Sequence, residues 1–407
     1  MAGPLSHLRV LDMSRILAGP WTSQNLADLG AEVIKIERPG RGDDTRAWGP
    51  PFLRNDDGVE TTETAYFLCA NRGKKSLTVD IASEDGRDII LDLVRNADVL
   101  IENFKTGDLT RYGLGYEDLK KVNPGLVYCS VTGFGQDGPF SSQAGYDFMI
   151  QGTGGLMSLT GSPEGANGGE PMKVAVPVAD LMTGMYATVA ILAALARRDR
   201  EGGGEHIDIA LLDCQVAMLS NQGQNFLISD TVPKRYGNSH PNVVPYQAFA
   251  TADGHTIIAI GNDLQFAKFC QAAGNPSLSG DARFSSNAGR VRNRDELIPQ
   301  IKALLAQRTT AEWMNLLTPL GVPCGPINTL EQTFAHPQVQ HREMKIELEH
   351  PLSGKVSLIG NPIRFVEHPI QYELPPPVLG EHTGILLREL LGLSEERITA
   401  LRERGIV

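Results

Sequence analysis

The first 130 residues alternate short apolar strands with helix-forming stretches, and that alternation restricts the chain to very few folds. Residues 8–13 are a short apolar run; residues 20–29 open with a proline suited to a first helical turn and stop at Gly30. Residues 31–37 alternate apolar and polar side chains with the period of a strand. A further strand is expected at 77–81, followed by an amphipathic helix over 84–96 with Ile89, Ile90, Leu93 and Val94 on one side. A strand at 98–101, a helix at 116–122 and a strand at 126–129 complete the series. Strands separated by helices pair in parallel through right-handed crossovers. The expected fold class is therefore α/β with a Rossmann-like large domain.

The pattern changes after residue 225. Residues 246–251 and 255–260 read as a hairpin around Ala252-Asp-Gly254, and helices are expected near 264–273, 295–307 and 310–320. These make a smaller α+β domain. The glycine run Gly202-Gly-Gly204, the polar stretch 221–235 and the punctuated Gly321-Val-Pro-Cys-Gly-Pro-Ile327 look like connections. The expected division is 1–200 for the first part of the large domain, 201–228 for a linker and 229–325 for the small domain. Residues 326–407 form a return linker and the C-terminal part of the large domain.

A net charge of −11 argues against nucleic acid as a partner, because its phosphates are bound through basic patches. The five cysteines are scattered with no CxxC pair, and no HExxH occurs, so neither a disulfide framework nor a metal site is expected. The amino terminus has no basic stretch followed by an apolar core, and no apolar run reaches the ~18 uninterrupted residues of a membrane span; residues 181–197 come nearest. The expected compartment is the cytoplasm, with no membrane partner. An α/β layer of this kind binds nucleotides at the carboxyl ends of its strands, yet no GxGxxG or GxxxxGK[ST] follows any of them. A standard dinucleotide or NTP site is disfavoured; another adenine nucleotide is still admissible.

Asp180 stands where the apolar run Val174-Ala-Val-Pro-Val-Ala179 meets the helix-favouring residues 181–197. Such an aspartate can cap a helix, since its oxygens accept the free N–H groups of the first turn. It can also be a nucleophile, and the two roles are compatible: a helix N-terminus favours the ionised carboxylate by roughly 0.3–1 kcal/mol, and that is the form that attacks an acyl group.

Several blocks, in order and spanning essentially the whole chain, resemble the class III (family III) CoA-transferases. They are Arg15-Ile-Leu-Ala-Gly-Pro20, Leu29-Gly-Ala-Glu-Val-Ile-Lys-Ile-Glu-Arg-Pro-Gly40, Gly42-Asp-Asp-Thr-Arg46, Asn71-Arg-Gly-Lys-Lys-Ser76, Glu102-Asn-Phe104, Ala144-Gly-Tyr-Asp147 and Leu379-Gly-Glu-His382. Within that family, Tyr236-Gly-Asn-Ser-His240, Val244-Pro-Tyr-Gln-Ala-Phe249 and Gly321-Val-Pro-Cys-Gly-Pro-Ile-Asn328 are most similar to the succinyl-CoA:glutarate (dicarboxylate) branch.

The resemblance implies that Asp180 is the catalytic nucleophile and that the large domain binds coenzyme A as a substrate, with no permanently bound cofactor. It implies CoA contacts at Arg38, Asn103, Phe104, Lys105 and Arg111, at Tyr146 and Asp147, at Leu17 and Ala18 near the thioester, and at Val79 and Ala82 near the adenine. A dicarboxylate acceptor needs a cation or several donors for its second carboxylate. The candidates are Arg46 and the pair Arg235 and His240. The alternatives are that Arg46 pairs with Asp43 or Asp44 and that 235–240 is an exposed turn. The resemblance also implies an interlaced homodimer.

Three other readings stay open at this point. The family contains 2-methylacyl-CoA racemases, whose Ala-Gly-His-Asp turn supplies a histidine base; here the turn holds Tyr146, and a phenol of ordinary pKa ~10 does not replace it near neutrality. A transferase could act on oxalate or on a carnitine-like or itaconate-like acid. Leu17 stands where the oxalate branch has glutamine, and the long glycine loop of that branch is missing. A catalytically silent acyl-CoA-binding protein is the third.

Overall fold

Six strands form the central sheet of the structure, a computed structural model that describes residues 3–166 and 168–407; Met1, Ala2 and Asn167 lie outside the described residues. They are β1 (Arg9–Asp12), β2 (Glu32–Glu37), β3 (Lys74–Thr78), β4 (Val99–Glu102), β5 (Val127–Thr132) and β6 (Glu205–Ala210). All neighbours run parallel, in the order β3-β2-β1-β4-β5-β6. This is a doubly wound order, and its direction of winding reverses between β1 and β4. Ligands of such sheets bind beyond the carboxyl ends of the strands at that reversal.

Helices α1 (Ala18–Asp28), α2 (Glu84–Val94), α3 (Tyr116–Val122), α4 (Asp147–Thr153), α5 (Val178–Glu201) and α6 (Leu211–Ala217) accompany the sheet. Alternate strand residues feed opposite faces, as the pleat demands. Val10, Val33 and Val99 stand side by side and pack against Leu26 of α1 and Ile191 of α5. Leu11, Ile34 and Leu100 face the other way, onto Ile90 and Leu93 of α2 and onto the terminal helices Thr383–Leu391 and Glu395–Glu403. The alternation of β2 marks no solvent face: Lys35 and Glu37 are as buried as their apolar neighbours. A parallel sheet is covered on both sides, so these charges must find partners inside.

Residues 201–228 correct an expectation, because they are not a linker. Gly202 and Gly203 take positive φ of 76° and 74°, Gly204 donates to Pro124 O at 2.7 Å, and the chain turns directly into β6 beside β5. The glycines make a tight turn that L side chains would strain.

The chain divides into two units, Met1–Leu156 with Val174–Ile228 and Pro337–Val407, and Met157–Lys173 with Ser229–His336. The second has a three-stranded antiparallel sheet of β7 (Tyr246–Ala250), β8 (His255–Ala259) and β9 (Cys324–Pro326), covered by helices that include Asp263–Ala272 and Arg294–Leu305. Its core gathers Phe249, Phe266, Phe269, Phe284 and Trp313, whose indole donates to Leu305 O.

By length and composition α5 could cross a membrane. One side of it is instead built into the first unit, burying Ala187, Ile191, Ala194 and Leu195.

Candidate active site

At the reversal between β1 and β4, the two strand ends are tied through Asn103. Its side chain accepts from Arg15 N–H at 2.8 Å and donates to Arg15 O at 2.7 Å. In the loop after β1, Ile16 has φ of +73°, a left-handed conformation that a β-branched residue avoids. Strain of this kind costs about 1–3 kcal/mol and persists where surrounding groups impose it. Here the buried Asp43 carboxylate accepts Ile16 N–H at 3.2 Å and pairs with Lys35 at 2.9 Å, while Lys35 also donates to Ser14 O. The buried charge on β2 thus shapes the loop.

That loop delivers Leu17 and Ala18 to the start of α1, which packs closely against α5. Gly184 makes the approach possible: a Cβ there would lie 2.8 Å from Ala18 O and 3.0 Å from the Trp21 ring. The hydroxyl of Thr22 donates across the contact to Gly184 O. Three residues before Gly184, and on the first turn of α5, Leu181 is preceded by Asp180. A cavity of about 160 Å³ opens between Asp180, Leu17, Ala18, Asn103, Lys105 and Tyr146. A second cavity, of about 390 Å³, is lined by Arg38, Val79, Ala82 and Phe104. Arg15 and Phe104 border both, so the two form consecutive compartments beside the same strand ends.

Asp180 is 9 % exposed, and among the described residues no hydrogen bond reaches its side-chain oxygens. Burial first, and then the neighbouring Asp147 charge, push its carboxyl up to about 7. The local expectation that Asp180 caps its own helix is corrected. Pro177 is the N-cap residue and offers no side-chain cap. The cap comes from Asp147, on α4, which accepts Ala179 N–H at 2.8 Å and Asp180 N–H at 3.4 Å. With those donors occupied, the helix end does not offset the loss of water around Asp180.

Asp147, expected as a CoA contact, accepts from Gln151 at 2.7 Å with its other oxygen and lines neither of the two cavities. The turn before it needs glycine for a steric reason: a Cβ on Gly145 would lie 2.3 Å from Gly133 Cα, at the end of β5. Tyr66 is a site residue that the sequence reading missed. Burial, followed by the Asp180 charge, pushes its phenol up to about 12, which places it within electrostatic reach of the carboxylate. Only its place between two recognisable motifs could have pointed to it.

Arg46 is corrected as an anchor for a second carboxylate. Its guanidinium is buried, pairs with Glu37 at 2.9 Å and Glu63 at 3.1 Å, donates to Pro377 O and sits 3.6 Å from the centre of the Phe67 ring. Its partners are neither Asp43 nor Asp44. Arg111 lines neither cavity; it is exposed and paired with Asp108, which does line the larger one. Arg235 and His240 belong to the second unit. Arg235 straps a loop there by donating to Ser162 O and Gly169 O, so its segment is more than an exposed turn. His240 packs on Tyr246 and accepts Asn242 N–H on Nδ1; burial and then Arg294 lower its pKa.

The larger cavity of about 470 Å³ at the amino ends of β2 and β3 is a poorer candidate. Both of its cations are already paired, Arg72 with Asp28 and Lys75 with Glu32.

A family model described as CoA-transferase family III matches residues 5–383. A succinate–glutarate CoA-transferase of Agrobacterium fabrum is 47% identical over 387 residues, covering 95% of this chain and 96% of the relative. A succinyl-CoA:glutarate CoA-transferase of Homo sapiens is 44% identical over 404 residues, covering 99% and 90%. The crystal structure of a CAIB/BAIF family protein from Brucella suis aligns with a TM-score of 0.83 at 47% identity, covering 96% of this chain and all of that one. The match takes in both cavities and Asp180, and the chain belongs to CoA-transferase family III.

Proposed function

We propose that this protein moves CoA from succinyl-CoA to glutarate through a covalent intermediate on Asp180. The observation that carries the proposal is the Asp180 carboxylate: buried, free of hydrogen bonds among the described residues, and opening into a cavity at the reversal of a doubly wound sheet. A carboxylate stripped of water and donors is a stronger nucleophile than a solvated one, and a thioester is an activated acyl donor with a good leaving group.

The exchange balances in four steps. The Asp180 carboxylate attacks the succinyl thioester, expelling CoA thiolate and forming a mixed anhydride. The thiolate attacks the aspartyl carbonyl, releasing succinate and leaving an aspartyl-CoA thioester. A glutarate carboxylate attacks that thioester, again releasing thiolate and forming an anhydride. The thiolate then takes the glutaryl group and restores Asp180. No proton moves in any step. Burial of Asp180 also keeps water from the anhydrides and the thioester.

In this reading the adenine and phosphates of CoA occupy the compartment of Arg38, Val79 and Ala82, and the thioester reaches Leu17 and Ala18 past Phe104. Lys105, exposed and in none of the described ion pairs, is available to an anionic ligand. The named activities of the two relatives support succinyl-CoA and glutarate as the pair. The working form is read as an interlaced cytoplasmic homodimer.

The test is an acceptor panel with succinyl-CoA as donor, joined to hydroxylamine trapping. Glutaryl-CoA should form faster than the products of oxalate or butyrate, and hydroxylamine should modify Asp180 only after succinyl-CoA is added. Butyrate accepted as well as glutarate would rule out the dicarboxylate assignment. Trapping at another residue would rule out the nucleophile.

A further inference from the structure

Asp147 is bonded to the start of the helix that carries the nucleophile, and it lines neither of the two cavities. We infer that Asp147 is a positioning residue for Asp180: from α4 it caps the uncapped first turn of α5, and in doing so it sets a second negative charge beside the reacting carboxylate. The inference rests on the reading of Asp180 as nucleophile.

The geometry is a short relay. Gln151, fully buried, accepts Val174 N–H on Oε1 at 2.8 Å and donates from Nε2 to Asp147 Oδ2 at 2.7 Å. Asp147 Oδ1 faces the other way and accepts Ala179 N–H at 2.8 Å and Asp180 N–H at 3.4 Å. The incoming segment at Val174 and the helix start at Ala179 are thereby pinned to one helix, α4. The residue that precedes the helix, Pro177, has no side-chain oxygen to do this. A cap drawn from a separate element fixes where the first turn lies relative to the rest of the site, which a cap from Asp180 itself could not do without removing the nucleophile from the cavity.

The second consequence is electrostatic. The titratable and charged groups around Asp180 are Asp147 on α4 and Tyr66 on the helix Ala65–Leu68, which sense its charge, and Tyr146, Arg15 and Lys105, which line the same cavity. Arg15 is engaged by Asp44. Asp147 is the charge that adds to burial in holding the Asp180 proton. A carboxylate held this way is more basic when ionised, and its attack on a thioester gains accordingly.

Three variants test the inference, with kcat, KM for succinyl-CoA and the pH profile of kcat as readouts. Asp147→Asn keeps an oxygen for the Ala179 amide and loses the charge. Its acid limb should move down by about one unit or more from the wild-type position. Asp147→Ala loses cap and charge together; kcat should fall about a hundredfold, the effect of displacing a reacting group by roughly 1 Å, with KM changed less than about threefold. Gln151→Met leaves Asp147 in place but removes the bond that orients it, together with the bond to Val174 N–H, and should give a smaller kcat loss of the same kind if Asp147→Ala does not fold. An unshifted acid limb in folded Asp147→Asn overturns the electrostatic part. A KM raised tenfold with kcat intact in Asp147→Ala, or in Gln151→Met, makes Asp147 a substrate contact and overturns the whole. Failure of the nucleophile reading is seen separately, as turnover that survives Asp180→Asn.

Discussion

Asp180 is destabilising in the state that makes it useful. Burial first, and then the Asp147 charge, push its carboxyl up to about 7 in the folded protein, from an ordinary 3.8. Between those values the folded protein holds a proton that the unfolded chain has released, so stability falls as pH rises from about 4 to about 7, and the penalty stays in full above that. Its size is on the order of a few kcal/mol. Asp180→Asn removes the penalty along with the nucleophile. Its melting temperature should exceed that of the wild type at pH 8 and match it at pH 4, while transfer falls at least about a thousandfold. Calorimetry at the two pH values checks this, and a variant less stable at pH 8 contradicts the burial argument. The wild-type rate should rise with pH through about 7, since only the ionised form attacks. Ile16, held at φ of +73° by Asp43 and Lys35, is a second residue at which the fold maintains strain beside the site.

At the level of elements, the site depends on how closely α1 and α5 approach. Gly184→Val would drive a side chain into Ala18 O and the Trp21 ring, forcing the helices apart. We expect a loss of at least about 1–3 kcal/mol of stability, as for other overpacked contacts. A fall in kcat should accompany it even where the variant remains folded, because Leu17 and Asp180 ride on the two helices; thermal melts and kinetics on the same preparation separate the effects. A variant with unchanged kcat would mean that the helix spacing does not set the site. The elements themselves were largely legible in the sequence. Buried parallel strands leave apolar runs with helices between, and the expected strands at 8–13, 31–37 and 98–101 correspond to β1, β2 and β4. The strand β6 was not legible, because Glu205, His206 and Asp208 break its apolar pattern and the glycines before it resemble a linker. Local spacing also could not supply long-range partners. Arg46 pairs with Glu63 on a separate hairpin, and Asp180 takes its cap from a residue 33 positions upstream. In both cases the partner lies on another element, beyond what local spacing can reveal.

On the scale of the whole molecule, the first unit leaves apolar side chains uncovered on neighbouring stretches of chain. Met185, Tyr186 and Val189 are exposed on α5, and Phe226, Leu227 and Ile228 on the helix Ser220–Ser229. Scattered apolar residues at a surface are ordinary, but six large ones on two helices of one unit are what a self-association surface looks like. A net charge of −11 opposes indiscriminate association through mutual repulsion but does not cover them. A second copy of the chain is the simplest cover, by a two-fold interface in which the same surface serves both subunits. The family resemblance adds that the chains thread through each other, and the two possibilities separate in one experiment. Sedimentation at micromolar concentration should give twice the chain's 44.1 kDa. For an interlaced dimer, dilution to nanomolar concentration should release no folded monomer, and in urea dissociation should coincide with unfolding, at a midpoint that rises with protein concentration. A dimer formed only by surface contact would instead yield a folded monomer before it unfolds. Leu227→Glu sharpens the difference: in a surface dimer it should give a well-folded monomer, and in an interlaced one a protein that loses its cooperative melt. A native monomer of the unaltered chain at micromolar concentration would overturn both forms of the dimer and leave the exposed face of α5 to some other partner.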